Sequence, residues 1–313
     1  MKKKRKHKPV ISFIVPIHIL TNHIIRNIEK FQNVEKNLPV EFLFIFNGIR
    51  EKKINGFSQS KNFYFIKKNN GPGPARNLGI KKSKANWLLF LDSDDDLIVR
   101  NLPKLINFIK NKNCNFLAVN FLTNYKTYEK NHKKFQLNHK HSILKEKIRL
   151  FLNQKLEYAI IFYLFKKDFL KKYKIFFLKG YFEDIFFHLK ILFFNKDRKI
   201  LYFKKKIYFK KYNSSSITAL LTKKHLDDFI NAWLNVIRFL KRKYAKTDEL
   251  ENLYQFTLRG VLGYLMKRVE NCNLSIAKKK RLKTFVINIL KIYINKNFIV
   301  QTKYDKYAKD YLN

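Results

Sequence analysis

The segment Trp87-Leu88-Leu89-Phe90-Leu91-Asp92-Ser93-Asp94-Asp95-Asp96 sets the frame for the rest of the chain. Five consecutive apolar residues end in four carboxylates within five positions. A short, uninterrupted apolar run reads as a strand buried on both faces, as in a parallel sheet. Its end concentrates acid in a chain of formal net charge +44. Carboxylates crowded at one strand end repel one another unless they face water, a metal ion or a cationic ligand. A solvated acidic turn would satisfy the same ten residues, so the neighbouring segments must separate the two readings.

Upstream, Val10 to Val15 reads as a strand stopped at Pro16, followed by a helix capped by Asn22 or Thr21 with Ile24, Ile25, Ile28 and Phe31 on one face. Val40 to Phe46 is a second apolar strand ending at Asn47-Gly48, and Asn62 to Lys67 a third. Asn70-Gly71-Pro72-Gly73-Pro74-Ala75-Arg76-Asn77 then runs into a short helix to about Lys82. Its glycines allow close backbone approach, and a helix start with Arg76 in its first turn can hold an anion. Strands alternating with helices imply a mostly parallel, Rossmann-like α/β sheet flanked by helices. Ligands bind such sheets beyond the carboxyl ends of the strands, where Pro16, Asn47 and Asp92 to Asp96 all fall.

Downstream, Asn101-Leu102-Pro103 opens a helix, and Asn115 to Leu122 and Tyr158 to Phe165 are strand-like. Tyr125 to His141 is polar and poorly patterned, and His132, His139 and His141 lack a metal-ligand spacing. Glu183-Asp184 opens a helix with Ile185, Leu189 and Leu192 on one side, and His188, one turn on along the face of Asp184, either reaches the site or is a surface or core histidine. Leu201 to Tyr212 suggests two short strands. Beyond residue 220 the spacing turns helical: Leu226, Phe229, Ile230, Trp233, Leu234, Ile237 and Leu240, then Leu282, Phe285, Val286, Ile289, Leu290 and Tyr293. The expected organisation is a basic tail over 1–8, a catalytic domain over 9–220 and an all-helical region over 221–313.

Composition narrows the class. With 313 residues, 46% of them hydrophobic, the chain can bury a sizeable core. Cys114 and Cys272 offer no bridge framework or zinc set, which suits a reducing compartment. No run approaches 18 apolar residues, and the N-terminal apolar run is too short for a signal peptide. These features point to a cytoplasmic protein. Lys, Asn, Ile and Phe are abundant in a way that an AT-rich genome alone would produce. The surplus charge also favours peripheral contact with an anionic inner membrane face. It permits nucleic-acid binding, but no recognised motif accompanies it, and the clustered carboxylates oppose it.

Taken in order, four blocks resemble the family 2 glycosyltransferases of the GT-A fold. They are Ser12-Phe13-Ile14-Val15-Pro16, Asn70-Gly71 through Ala75-Arg76-Asn77-Leu78-Gly79-Ile80, Trp87 through Asp95, and Glu183-Asp184-Ile185. A weaker fifth block is Ile207 to Tyr212 with Ser216-Ile217-Thr218. The resemblance covers residues 10 to 218; no block is specific by itself, but their order and spacing are.

The resemblance implies a metal-dependent, inverting transferase that moves a sugar from a nucleotide-sugar donor to a hydroxyl of a growing surface glycan or glycolipid. It implies Mn²⁺ or Mg²⁺ at Asp94 with Asp92, a general base at Asp184, and Glu183 as acceptor contact or orienter. Pro16, Asn47, Gly71, Arg76, Asp92, Ser93 and Lys211 would line the donor site, with Asp95 and Asp96 shaping the loop; Lys210, Lys211 and Tyr212 would close over the diphosphate, as this segment does in some relatives, or form a solvated charge cluster. One departure stands at Phe46-Asn47-Gly48, where the family usually carries an Asp pair contacting uracil. Asn47 keeps an accepting amide oxygen and Phe46 does not, which leaves the base open. His18-Ile19 replaces the usual Tyr-Asn, and Ala85-Asn86 the usual glycine. A nucleic-acid-binding protein and a degenerate, sugar-binding homologue remain the alternatives.

Overall fold

The computed structural model describes residues 8–51, 62–110, 112–124, 144–152, 159–195, 200–211, 221–243, 247–295 and 303–312. The sequence readings for the 1–7 tail, Tyr125 to His141, Tyr212 and Ser216 to Thr218 lie outside these residues. The chain divides into two compact units: residues 1–148 with 155–212, and residues 149–154 with 213–313.

In the first unit, β1 (Ile11–Ile17), β2 (Val40–Asn47), β3 (Phe63–Ile66) and β4 (Trp87–Phe90) run parallel in the order β3-β2-β1-β4. The β2 strand is buried at every position, as its apolar run requires. Between them lie α1 (Asn22–Asn37), capped by the Thr21 side chain accepting from the Ile24 amide, and α2 (Pro72–Lys82). Phe42 joins the layers: its ring stacks on Phe13 within the sheet and on Phe31 of α1, at 4.6 and 4.8 Å between centroids. The β1 strand continues past Pro16 to Ile17. Proline is tolerated there because the pairing of β1 with β4 has already ended at Ile14.

The other half of the sheet is mixed. β5 (Asp96–Leu97), β6 (Phe116–Thr123), β7 (Tyr163–Lys166) and β8 (Leu201–Lys210) complete the order β4-β7-β6-β8-β5. β7 is antiparallel to both β4 and β6, and β5 is antiparallel to β8. The apolar run before Lys166 splits into a 3₁₀ turn over Ile160–Phe162 and a four-residue strand. β8 is one strand, not two; register shifts against β6 around Asn120 absorb its irregular alternation. The helices here are α3 (Leu102–Lys110), α4 (Leu144–Leu152), whose residues from 149 on are assigned to the second unit, α5 (Lys167–Lys172) and α6 (Glu183–Phe194). His188 is fully buried, edge-on to Tyr163 at 4.7 Å, and is a core residue.

The second unit contains α7 (Lys223–Lys243), α8 (Asp248–Asn271), α9 (Ile276–Leu290) and α10 (Lys303–Leu312). All seven α7 residues read as one apolar face are buried. The α9 stripe is weaker: Val286 and Leu290 are buried, whereas Tyr293 is exposed beyond the helix end. Glu270 accepts from Tyr311 at 2.6 Å and from Lys283 at 2.9 Å, linking α8, α10 and α9. Among the described residues, no helix is long and apolar enough to cross a membrane.

Candidate active site

The order β3-β2-β1-β4 reverses direction between β1 and β4, which opens a crevice beyond their carboxyl ends. The acidic residues that follow β4 lie at this switch point, and two further segments converge on them.

The first is the glycine loop with α2. The helix starts at Pro72, earlier than the sequence suggested, so Arg76 sits beyond the first turn rather than in it. Gly71 at φ +84 passes so close to the 177–180 segment that an added Cβ would lie 2.2 Å from the Gly180 carbonyl oxygen. At Gly73 an added Cβ would lie 2.1 Å from the Leu178 carbonyl oxygen. Asn77 donates to the Phe177 carbonyl and accepts from the Phe177 amide, each at 2.9 Å. The loop is thereby locked to the segment that delivers Glu183 and Asp184. Phe182, just before them, takes the left-handed conformation at φ 58, a strained geometry for a bulky residue.

Arg76 is the hub. Its guanidinium is buried, contacts Glu183 directly through Nη1, and reaches Asp92 Oδ1 at 3.1 Å through Nη2. It also lies 5.7 Å from the Phe177 ring centroid. One planar fork thus joins the strand end to the start of α6. Burial pushes the Glu183 carboxyl up against the pull of Arg76. Burial also raises Asp184, to about 6, opposed by Arg76 and by hydrogen bonding from backbone amides at the helix start. Asp92 goes the other way: Lys210 and Arg76 outweigh its burial and hold it below its ordinary value.

The second segment is the end of β8. Lys210 Nζ lies 2.9 Å from Asp95 Oδ2 and 3.2 Å from Asp92 Oδ2. Tyr208 donates its hydroxyl to Asp95 Oδ2 at 2.7 Å and accepts from the Asp92 amide at 3.1 Å. The Lys211 amide donates to Asp95 Oδ1 at 2.8 Å. Asp95 is fully buried by these partners and fixes the turn; burial raises its carboxyl to about 6 despite Lys210. Asn27 of α1 donates to the carbonyls of Ser93 and Asp95. Asp96 pairs with Lys30 at 2.6 Å, and the Lys211 ammonium lies 3.7 Å away.

Of the residues expected at the site, Arg76, Asp92, Glu183 and Asp184 come together, with Asp94 partly exposed on the adjoining turn. Ser93 is buried and contributes its carbonyl to Asn27. Asn47 is buried and donates to the Gly71 carbonyl at 2.9 Å and to Asn69 Oδ1 at 3.0 Å. It holds the glycine loop, and its own Oδ1 is buried without a hydrogen-bond partner among the described residues. Pro16 lies at the end of β1, partly exposed. Tyr208 and Asn27 were not foreseen; Tyr208 reads as one aromatic of an irregular strand, and Asn27 as a polar interruption on a helix face.

Among the described residues, no three His, Cys, Asp or Glu side chains group to hold a metal by themselves. A hard divalent cation does not require such a cage when phosphate oxygens and water complete its shell. The carboxylates of Asp94 and Asp92 are the donor type it would use.

The family model described as glycosyl transferase family 2 matches residues 12–182, more than half of the chain. A protein of Rickettsia bellii named "Uncharacterized glycosyltransferase" is 33% identical over 124 residues, 38% of this chain and 17% of that one. This chain therefore corresponds to a minor part of that relative's length. Staphylococcus aureus TarS (residues 1–349), solved with UDP-GlcNAc, superimposes with a TM-score of 0.52 at 16% identity, covering 92% of this chain and 74% of that one. The mannosyltransferase PcManGT of Pyrobaculum calidifontis, solved with GDP-Man and Mn²⁺, gives 0.50 at 10% identity, over 98% and 85%. These structures share the fold. The chain belongs to glycosyl transferase family 2, a family of transferase enzymes, and has its GT-A-like architecture.

Proposed function

We propose that this protein is a metal-dependent, inverting glycosyltransferase. It would take a nucleotide-sugar donor and pass the sugar to a hydroxyl of a surface glycan or lipid-linked acceptor. The observation that carries this reading is the convergence on Arg76 of Asp92, from the end of β4, and Glu183, beside Asp184 at the start of α6. That arrangement supports a base at Asp184, near the strand end where a donor diphosphate would lie. The complexes of TarS with UDP-GlcNAc and of PcManGT with GDP-Man and Mn²⁺ support a nucleotide-sugar donor and a divalent cation on this fold.

The chain's own groups divide the work. Glu183 is engaged with Arg76, which leaves Asp184 as the carboxylate able to take the acceptor proton. A value raised to about 6 keeps it ionised near neutrality yet basic enough to accept that proton. One base, with no second free carboxylate beside it among the described residues, favours direct displacement, which inverts the anomeric centre. Asp94 with Asp92 would hold Mn²⁺ or Mg²⁺, which supplies positive charge to the departing diphosphate. Lys211 and the start of α2 add cationic character on the same rim.

The net charge of +44 supports attachment to an anionic membrane face, which would bring the enzyme to a lipid-linked acceptor. The deciding experiment is a transfer assay whose product configuration is read by NMR. The expected outcome is inversion, with D184N lowering kcat by about 10²–10⁴. Retention of configuration, or full activity in D184N, would overturn the assignment of the base.

A further inference from the structure

We infer that Lys210 is a built-in counter-cation that occupies Asp92 until a donor diphosphate arrives, and so keeps the acidic turn from binding a divalent cation in the donor's absence. This rests on the proposed metal-and-donor reading of the site.

Asp92 is held by two cations, Arg76 at 3.1 Å and Lys210 at 3.2 Å. The Arg76 side chain is only 8% exposed and is anchored by Glu183, so it stays. The Lys210 side chain is 24% exposed, on a flexible four-carbon stem at the last residue of β8. Its other partner, Asp95, is separately satisfied by Tyr208 and the Lys211 amide. Lys210 can therefore leave without stranding Asp95.

A divalent cation bound through Asp92 Oδ2 would meet the Lys210 ammonium, because both need the same oxygen. The two repel at contact distance, so metal binding requires Lys210 to give up Asp92. Without a nucleotide, this pair of acids offers Lys210 two short contacts. A diphosphate supplies the missing partner: as Lys210 turns to the phosphate oxygens, Asp92 is released to the metal. Charge stays nearly balanced through the exchange, since the added cation and the added diphosphate offset each other. Metal and donor would then bind as a coupled pair, each raising the affinity of the other by the same factor.

The test is Mn²⁺ binding to the full chain without nucleotide, followed by electron paramagnetic resonance, and repeated with UDP and with GDP. K210Q, which keeps hydrogen-bond donors toward Asp92 and Asp95, is expected to bind Mn²⁺ alone about tenfold more tightly than the parent. K210R, which keeps the charge, is expected to stay at the parental value. The gain is expected to vanish in K210Q/D92N, and the enhancement by nucleotide to shrink in K210Q. A loss of packing would weaken metal binding rather than tighten it. Unchanged or weaker Mn²⁺ binding in K210Q, with nucleotide-supported binding intact in the parent, overturns the role of Lys210 and leaves the metal reading standing. No Mn²⁺ binding in any variant, even with nucleotide, overturns both.

Discussion

Arg76 carries more of the site than any other side chain, because its rigid planar fork joins Glu183 at the start of α6 to Asp92 at the end of β4. R76A strands Glu183 in a buried setting and leaves Asp92 with Lys210 alone. We expect it to cost about 3–5 kcal/mol of unfolding free energy, measured by urea denaturation. R76K should recover part of that stability and little activity. Asp184 makes a prediction in pH. Its carboxyl is raised to about 6 and works as a base only when ionised. kcat/KM should therefore rise with pH through about 6 and level off above it; an activity that falls over that range would exclude Asp184 as base. At this scale the sequence singled out Arg76, Asp92, Glu183 and Asp184, which lie together in the structure, because charged side chains at the ends of apolar elements stand out from their surroundings. Asn47 shows the limit. Its burial and its bond to Gly71 depend on loop packing that no local pattern encodes.

Between elements, the site depends on two junctions. At the first, α2 and the 177–180 segment approach so closely that Gly73 has no room for a methyl group. G73A should destabilise the protein by about 1–3 kcal/mol and lower kcat, since Glu183 Cγ is among the atoms an added Cβ would press. Paired thermal melts and initial rates would show this. At the second, Tyr208 fixes the acidic turn to β8. Y208F removes one donor from Asp95 and one acceptor from the Asp92 amide, for a loss of about 1–3 kcal/mol. The parallel strands were legible as apolar runs, because burial on both faces leaves a simple signature. The 3₁₀ turn over Ile160–Phe162 and the single bulged β8 were not, since short apolar runs and bulges look alike until a partner strand fixes the register. Pro72 misled for a different reason: a proline-glycine-proline run reads as loop, yet proline suits the first helical position.

For the molecule as a whole, the sequence placed a change from α/β to helical character near residue 220. The compact units divide around residue 212, with 149–154 joining the helical one. That short return could not be read from periodicity, which reports an element's face and not its partner. The charge of +44 makes a further prediction. The protein should sediment with anionic vesicles at low salt and be released near 1 M salt, where the screening length falls to about 3 Å. Sedimentation insensitive to salt, or none at low salt, would contradict an electrostatic membrane contact. The claim on which the rest depends is that the acidic turn and Arg76 frame a nucleotide-sugar site. The most direct measurement is calorimetric binding of a panel of UDP- and GDP-sugars with and without Mn²⁺, repeated with D94A. At least one donor is expected to bind saturably, in a manner that depends on Mn²⁺ and is lost in D94A; a panel in which no donor binds, or in which D94A binds as the parent does, would rule such a site out.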